Sequence, residues 1–275
     1  MTNSALNTSR INRRTLLGAL AAAPALLPRR AWSQDKYPSR PIKVVVPFGA
    51  GGVADITVRL VTEKLGDLLG QRFVIENVPG AGGTLAAQRV LQAPADGYTL
   101  ALFSNGTAVS VGLFKALPFD PVKDFVPIST LGVFDFILAT NQATGFHKLE
   151  DFLAAARAKP GALNIGTVVV GSTQQLSAVL LNMVADIKTE VVTFRTTPEV
   201  IVSLLRNDVQ LAIDSYASLK SALAEKTVIA LATSGAKQSL VLPDVPPAAA
   251  AGVPGFDAPS WNALFARAGT PREAL

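Results

Sequence analysis

Short apolar runs alternate with amphipathic stretches along the first part of the chain. Ile42–Val46 is a β-branched run typical of a buried strand, and apolar residues at helical spacing follow it, from Ile56 to about residue 69. Residues 73–76 and 98–103 predict two further strands, with a short helix over 84–91 between them. Strands that alternate with helices predict a parallel α/β sheet.

The same alternation returns in the second half of the chain. A strand-like stretch covers residues 128–140, and a last strand is predicted over 262–267. Between them, the pattern predicts helices over 148–158, 173–183, 197–205 and 219–224 and strands over 163–167, 190–194, 209–213 and 228–232. The simplest arrangement is two α/β lobes with a cleft between them.

Glycine-rich or polar residues follow each of the first three predicted strands. They are the segments 49–52, 80–83 and 104–107. In open α/β sheets ligands bind beyond the carboxyl ends of the strands, and a helix that begins there offers unpaired N–H groups to an anion. The glycines are equally compatible with tight turns that bind nothing, and both interpretations stay open.

The N-terminal segment predicts an export signal over residues 1–33. It contains five arginines and no acidic residue, an apolar stretch over 16–27, and Ala31-Trp32-Ser33 as a small-residue cleavage site. The apolar stretch is shorter than the roughly 20 residues that a membrane span needs. Asn12-Arg13-Arg14 also resembles a twin-arginine signal, which leaves two export routes open to the periplasm.

The charge balance changes when that segment is set aside. All five basic residues of 1–33 are among the chain's 25, so residues 34–275 carry 20 basic against 20 acidic side chains. A balanced chain predicts no nucleic-acid surface. The sequence has no cysteine, so neither a disulfide nor a lipid-modified cysteine is expected.

Catalytic chemistry is sparse, and we expect no enzyme, no cofactor and no metal site. His147 is the single histidine and forms no recognisable triad, so a surface or capping role is expected. One alternative is an exported dinucleotide-dependent oxidoreductase, because residues 49–54 match G-x-G-x-x-G/A and Glu76 ends the next strand. For Asp214 two roles stay open: it points into the cleft, or it caps the element that follows.

Several motifs together resemble the periplasmic solute-binding receptors of tripartite tricarboxylate transporters, the Bug family. They extend across residues 37–271 and are Tyr37-Pro38-Ser39-Arg40-Pro41, Val46-Pro47-Phe48-Gly49-Ala50-Gly51-Gly52-Val53-Ala54-Asp55, Pro79-Gly80-Ala81-Gly82-Gly83, Ala95-Asp96-Gly97-Tyr98, Leu163-Asn164-Ile165-Gly166, Leu242-Pro243-Asp244-Val245-Pro246 and Ala268-Gly269-Thr270-Pro271. The resemblance implies a two-lobed periplasmic-binding-protein fold of type II, with an export signal over 1–33, one lobe from 34–138 with 258–275, and the other from 139–257.

The resemblance also implies a monomeric receptor that carries a small organic carboxylate to the membrane subunits of the transporter, or to a sensor. The implied ligand-binding residues are Phe48, Gly51, Gly52, Asp55, Ser104, Asn105, Thr107, Gly166, Thr167, Ser172 and Asp214. The chain departs from the family pattern at Gln175 and at Phe194-Arg195-Thr196. Relatives also extend beyond the equivalent of Leu275, so a truncated paralogue that binds nothing is the second alternative.

Overall fold

The computed structural model describes residues 36–275, and the predicted export signal lies outside them. Ten strands and seven α-helices alternate along this part of the chain. The strands are β1 (Ile42–Val46), β2 (Phe73–Asn77), β3 (Thr99–Ser104), β4 (Phe125–Phe134), β5 (Phe136–Asn141), β6 (Asn164–Val168), β7 (Glu190–Phe194), β8 (Leu211–Ser215), β9 (Val228–Thr233) and β10 (Ser260–Arg267). The helices are α1 (Val53–Leu69), α2 (Thr84–Leu91), α3 (Asn105–Leu113), α4 (Leu149–Ala158), α5 (Thr173–Val184), α6 (Thr197–Leu205) and α7 (Tyr216–Ala224).

The strands form two five-stranded sheets. The first has the order β2-β1-β3-β10-β4, and the second has the order β7-β6-β8-β5-β9. In the first sheet β1 runs parallel to β2 and β3, as predicted, whereas β10 is antiparallel to β3 and β4. In the second sheet β6 is parallel to β7 and β8, and β5 is antiparallel to β8 and β9. The α/β class is therefore confirmed, with each sheet mixed.

The chain passes between the two sheets twice. The first passage is the single residue Asp135, between β4 and β5, and the second leads from β9 back to β10. Ser234 connects the two passages: its Oγ accepts a hydrogen bond from Phe136 N at 2.8 Å and donates one to the Ala258 carbonyl at 2.9 Å. Two closely spaced crossings of this kind are the arrangement about which lobes can rotate.

Apolar burial explains why each sheet is stable. In β1, Val44, Val45 and Val46 are fully buried because helices cover both faces of the first sheet, one face contacting Val58 and the other Ala86 and Val90. The core of the second sheet is larger and includes the fully buried side chains Phe136, Phe152, Leu181 and Phe256. In the described part of the chain, no helix is long and apolar enough to span a membrane.

Three sequence predictions were wrong in detail. Residues 128–140 form two strands in different sheets, because the chain changes sheet at Asp135 while its apolar pattern continues. The helix α3, which begins with residues 105–107, was not predicted, because glycine and β-branched residues there are poor helix formers. The strand predicted over 209–213 is β8, two residues further on, so Asp214 is the penultimate residue of a strand.

Candidate ligand-binding cleft

A small cavity lies where the strand ends of the two sheets face each other. Its volume is about 20 Å³, roughly the room of one ordered water. The first sheet and its loops contribute Phe48, Gly49, Gly52, Val53, Ala54, Ser104, Phe134, Ser260 and Asn262. The second contributes Val168, Thr173, Gln174, Arg195, Thr196 and Thr197. A second cavity of about 10 Å³ shares Phe48 and Ser104 with the first, and Thr107 and Ser172 also line it.

Three helices begin at the first cavity. Gly52 is the N-cap of α1 and makes no side-chain capping hydrogen bond, so the first turn presents backbone N–H groups. Ser172 caps α5 by accepting a hydrogen bond from Gln175 N at 3.1 Å. Thr196 caps α6 in a capping box, in which Glu199 accepts from Thr196 N at 3.2 Å. The partial positive charge at the start of each helix makes their meeting point suitable for an anion.

The side chains around the cavity support that electrostatic character. Arg195 is the one charged residue among the lining set, and it is exposed. The nearby carboxylate of Glu199 accepts hydrogen bonds from the backbone N–H groups of Arg195 and Thr196. It therefore belongs to the cap of α6. The cavity therefore combines positive helix ends with a cation and includes no acidic side chain in its lining.

Asp55 lies beside this cavity, and its carboxylate is hydrogen-bonded to the glycine loop and to neighbouring side chains. Its Oδ2 accepts a hydrogen bond from Gly51 N at 3.1 Å, and Arg59 Nε donates to both oxygens at 3.0 Å. Asn77 Nδ2 lies 3.0 Å from Asp55 Oδ1 and 3.0 Å from the Phe48 carbonyl. Burial opposes ionisation, but these hydrogen bonds outweigh it and hold the pKa of Asp55 below its ordinary value. Asp55 thus anchors the glycine loop and does not line either cavity.

Asp214 is fully buried behind the second half of the cavity. It accepts a hydrogen bond from Thr197 Oγ1 at 2.7 Å and from Ser215 N at 2.7 Å. Burial raises the pKa of Asp214 more than these hydrogen bonds lower it. The side chain therefore positions Thr197, which lines the cavity, while remaining outside the lining itself.

The other predicted site residues occupy supporting positions. Asn105 binds the strand that returns from the second sheet, through Nδ2 to the Pro259 carbonyl at 3.2 Å and Oδ1 to Trp261 N at 3.0 Å. Gly166 and Thr167 are buried within β6, and Gly51 takes a positive φ of 84°. Of the predicted set, five residues line the two cavities, namely Phe48, Gly52, Ser104, Thr107 and Ser172.

Close contacts between the two sheets occur at glycines. A Cβ atom on Gly49 would lie 2.5 Å from Thr196 Cγ2 and 2.8 Å from the Arg195 carbonyl oxygen. A Cβ on Gly52 would lie 3.1 Å from Thr197 Oγ1, and one on Gly106 would clash with the Gly171 carbonyl. Ser260 Oγ adds a polar contact, 3.3 Å from Thr173 Oγ1. At Gly49 and Gly106 the two sheets therefore approach too closely for a side chain.

The residues considered for a dinucleotide site, a catalytic site or a metal site do not line the two cavities. Glu76 pairs with Lys43 at 2.7 Å and with Arg89 at 3.1 Å, and lines neither cavity. His147 is exposed ahead of α4, where its N–H donates to Asp151 Oδ2 at 2.9 Å. Within residues 36–275, no group of three or more histidine, cysteine or carboxylate side chains could hold a metal ion.

Comparison with known proteins decides the family. The model of the tripartite tricarboxylate transporter family receptor, TctC, matches residues 57–275. This chain belongs to that receptor family. Protein BugT of Bordetella pertussis is 32% identical over 240 residues, which cover 86% of this chain and 74% of BugT. The family assignment from the motifs is thus confirmed.

Two solved structures show the same fold at similar identity. Rpa4515 of R. palustris with adipate has a TM-score of 0.83 at 32% identity, covering 86% of this chain and 80% of that one. MatC (Rpa3494) of Rhodopseudomonas palustris with bound malate has a TM-score of 0.81 at 36% identity, covering 86% and 81%. The two-lobed periplasmic-binding-protein fold of this TctC-family chain is therefore confirmed.

Several residues at the cleft were missed by the sequence analysis. They are Thr173, Gln174, Thr197, Ser260 and Asn262, and each lines the first cavity. Thr173, Gln174 and Thr197 begin helices that follow a strand, so the strand-end rule applied to both lobes would have found them. Ser260 is at the amino end of β10, where that rule gives no signal. Asn262 is inside β10, whose antiparallel placement beside β3 had no signal in the local sequence.

Proposed function

We propose that this TctC-family chain is an exported, non-enzymatic receptor whose two sheets close on a small organic carboxylate. The observation that carries the proposal is the meeting of three helix N-termini, from both sheets, at one cavity without acidic lining. Each N-terminus favours a negative charge, and groups from both sheets can be satisfied by one ligand only when the cleft is closed. The relatives solved with adipate and with malate support a carboxylate as the ligand class.

Opening of the cleft is part of this function. The cavity has room for about one ordered water, so we expect the sheets to move apart when a dicarboxylate enters. The two crossings at Asp135 and at residues 257–259, joined by Ser234, supply a hinge for that motion. A ligand that contacts both sheets then shifts the population toward the closed form.

The proposed ligand contacts follow from the cavity linings. We assign direct contact to the five predicted residues that line the cavities and add Thr173, Thr197 and Arg195 from the second sheet. Asp55, Asn105 and Asp214 act by holding lining residues in place. Gly51, Gly166 and Thr167 shape the loop and the strand beneath them.

The cellular role extends this assignment. We propose that residues 1–33 direct export to the periplasm and that the monomeric receptor, in its closed form, delivers the ligand to the membrane subunits of a tripartite transporter. We further propose the lobe boundaries 34–138 with 258–275 and 139–257. The sheets support a division into two lobes, since β1–β4 and β10 form one sheet and β5–β9 the other, but the crossing at Asp135 puts residues 136–138 with the second sheet.

Thermal unfolding of the protein with a panel of carboxylates tests the proposal. A ligand that binds the native state raises the melting temperature by mass action, equivalent to about 2.7 kcal/mol at 100 times Kd. We expect a rise with one class of di- or tricarboxylate and none with NAD. A shift with NAD alone, or the absence of a shift with every carboxylate of the panel, would refute the proposed ligand class.

A further inference from the structure

Two buried hydrogen-bond donors in the cleft have no partner. Among the described residues, four buried side-chain atoms lack a hydrogen bond, and two of them, Ser104 Oγ and Asn262 Nδ2, belong to residues that line the first cavity. Ser104 is 3% exposed and Asn262 is 1% exposed. An unpartnered buried polar atom costs stability, so such atoms in a native protein call for an explanation.

The sheet places these two donors side by side. Ser104 ends β3, Asn262 lies near the start of the antiparallel strand β10, and the two residues are register partners. Opposed residues of an antiparallel pair point to the same face, with Cβ atoms roughly 5 Å apart. Both side chains therefore face one volume, which also adjoins the N-terminal residues Gly52 and Val53 of α1.

The chemistry of the two donors restricts what they can bind. An amide nitrogen only donates, and a serine hydroxyl can donate as well as accept. The group they bind must therefore accept hydrogen bonds, and the neighbouring helix N-terminus favours an acceptor that carries negative charge. A carboxylate has two acceptor oxygens and meets both requirements.

We propose that Asn262 and Ser104 form a donor pair that binds the two oxygens of one ligand carboxylate. The assignment rests on the proposed function and extends it, because it names the residues that distinguish a carboxylate from its amide. An amide can accept from Asn262 and donate to the hydroxyl of Ser104, but it carries no charge, so its hydrogen bonds at this site are weaker than those of a carboxylate.

Substitutions that remove the donors test the pair in the full chain. Calorimetric titration with malate and adipate, and with the corresponding diamides, measures affinity, while thermal unfolding without ligand measures stability. We expect Ser104→Ala and Asn262→Leu each to lower affinity for a binding acid roughly 10- to 100-fold, since each removes a hydrogen bond to a charged group. Without ligand, both variants should melt at or above the wild-type temperature, because the lost donors had no partner.

Thr233 supplies a matched control. Its Oγ1 is also buried and unpartnered, but the residue lies at the end of β9 and lines neither cavity. Thr233→Val should leave affinity unchanged. Asn262→Asp provides a second variant of the same shape as asparagine, and it should lose binding because two carboxylates would face each other.

The outcomes separate this assignment from the proposed function. If the wild type binds neither acid, the proposed function fails for these ligands and the donor pair fails with it. If the wild type binds an acid and the Ser104 and Asn262 variants bind it equally well, the two donors do not bind the ligand. That result overturns this assignment alone. A loss of binding that is matched by a large fall in melting temperature, or by an equal loss in Thr233→Val, would show a structural role and also overturn it.

Discussion

Replacing Gly49 by alanine should weaken ligand binding by preventing closure of the cleft. The added Cβ would lie 2.5 Å from Thr196 Cγ2, where an ordinary contact is 3.4–4 Å, so the sheets must separate by about 1 Å at this point. The clash involves the other sheet only, and Gly49 is not among the glycines with a positive φ. The substitution therefore leaves the conformation of its own loop accessible and disfavours the closed form.

The size of the effect follows from the cost of overpacking. Inserting a methyl group into a packed contact costs about 1–3 kcal/mol. Since the open form escapes this cost and ligand binding requires closure, the penalty falls on affinity and corresponds to roughly a 5- to 150-fold rise in Kd. Partial relaxation of Thr196, whose methyl group can move, would place the result toward the lower end of the range.

Calorimetric titration with the most strongly binding carboxylate measures this change. Gly112→Ala is the matched control, because nothing lies within 4 Å of a Cβ at Gly112, and it should leave Kd unchanged. Gly106→Ala, at the other close contact between the sheets, should weaken binding as Gly49→Ala does. Wild-type affinity in a folded Gly49→Ala protein would refute the idea that the observed contact is required in the bound state.

Three further predictions concern charged groups at the cleft. Asp55→Ala should lower the free energy of unfolding by about 1–3 kcal/mol, because it removes the hydrogen bond that anchors Gly51. Because the pKa of Asp55 is lowered in the folded protein, the substitution should also remove the part of the acid destabilisation that begins below the ordinary aspartate pKa of about 3.9. Chemical denaturation at neutral and acid pH measures both effects, and unchanged stability would contradict the anchoring role. Asp214→Asn should gain stability relative to wild type as the pH rises from about 4, because a carboxyl whose pKa is raised by burial destabilises the folded state once the unfolded chain ionises; a pH-independent difference in melting temperature would argue against it. Arg195→Gln should reduce affinity for the carboxylate that raises the melting temperature most only a few-fold, since the side chain is exposed, and the loss should shrink at high salt. A salt-independent loss would show that the contact is not electrostatic.

Local sequence predicted the elements well where one physical signal dominated. α6 begins at Thr197 as expected, because the Thr196–Glu199 capping box and Pro198 fix its start. α1 ends at Leu69, and its C-cap Gly70 takes a φ of 66°. The break at Asp135 had no such signal, since apolar residues continue on both sides while the chain changes sheet.

The site was less predictable because it depends on contacts between the sheets. The glycine loop, Ser104 and Asp214 could be found from strand ends, and the motif resemblance added Asp55 to the implied ligand-binding residues. The structure shows that these two carboxylates serve other cleft residues, Gly51 and Thr197. Asn262 reaches the cavity only because β10 returns from the second sheet to pair with β3, a long-range contact that no local pattern records.

A crystal structure of the protein with the carboxylate that raises its melting temperature most tests the central claim directly. The account predicts one ligand between the two sheets, with carboxylate oxygens at hydrogen-bonding distance, about 3 Å, from groups at the start of α1 and from groups at the start of α5 or α6. A ligand that contacts one sheet only, or that lies outside this cleft, would contradict it.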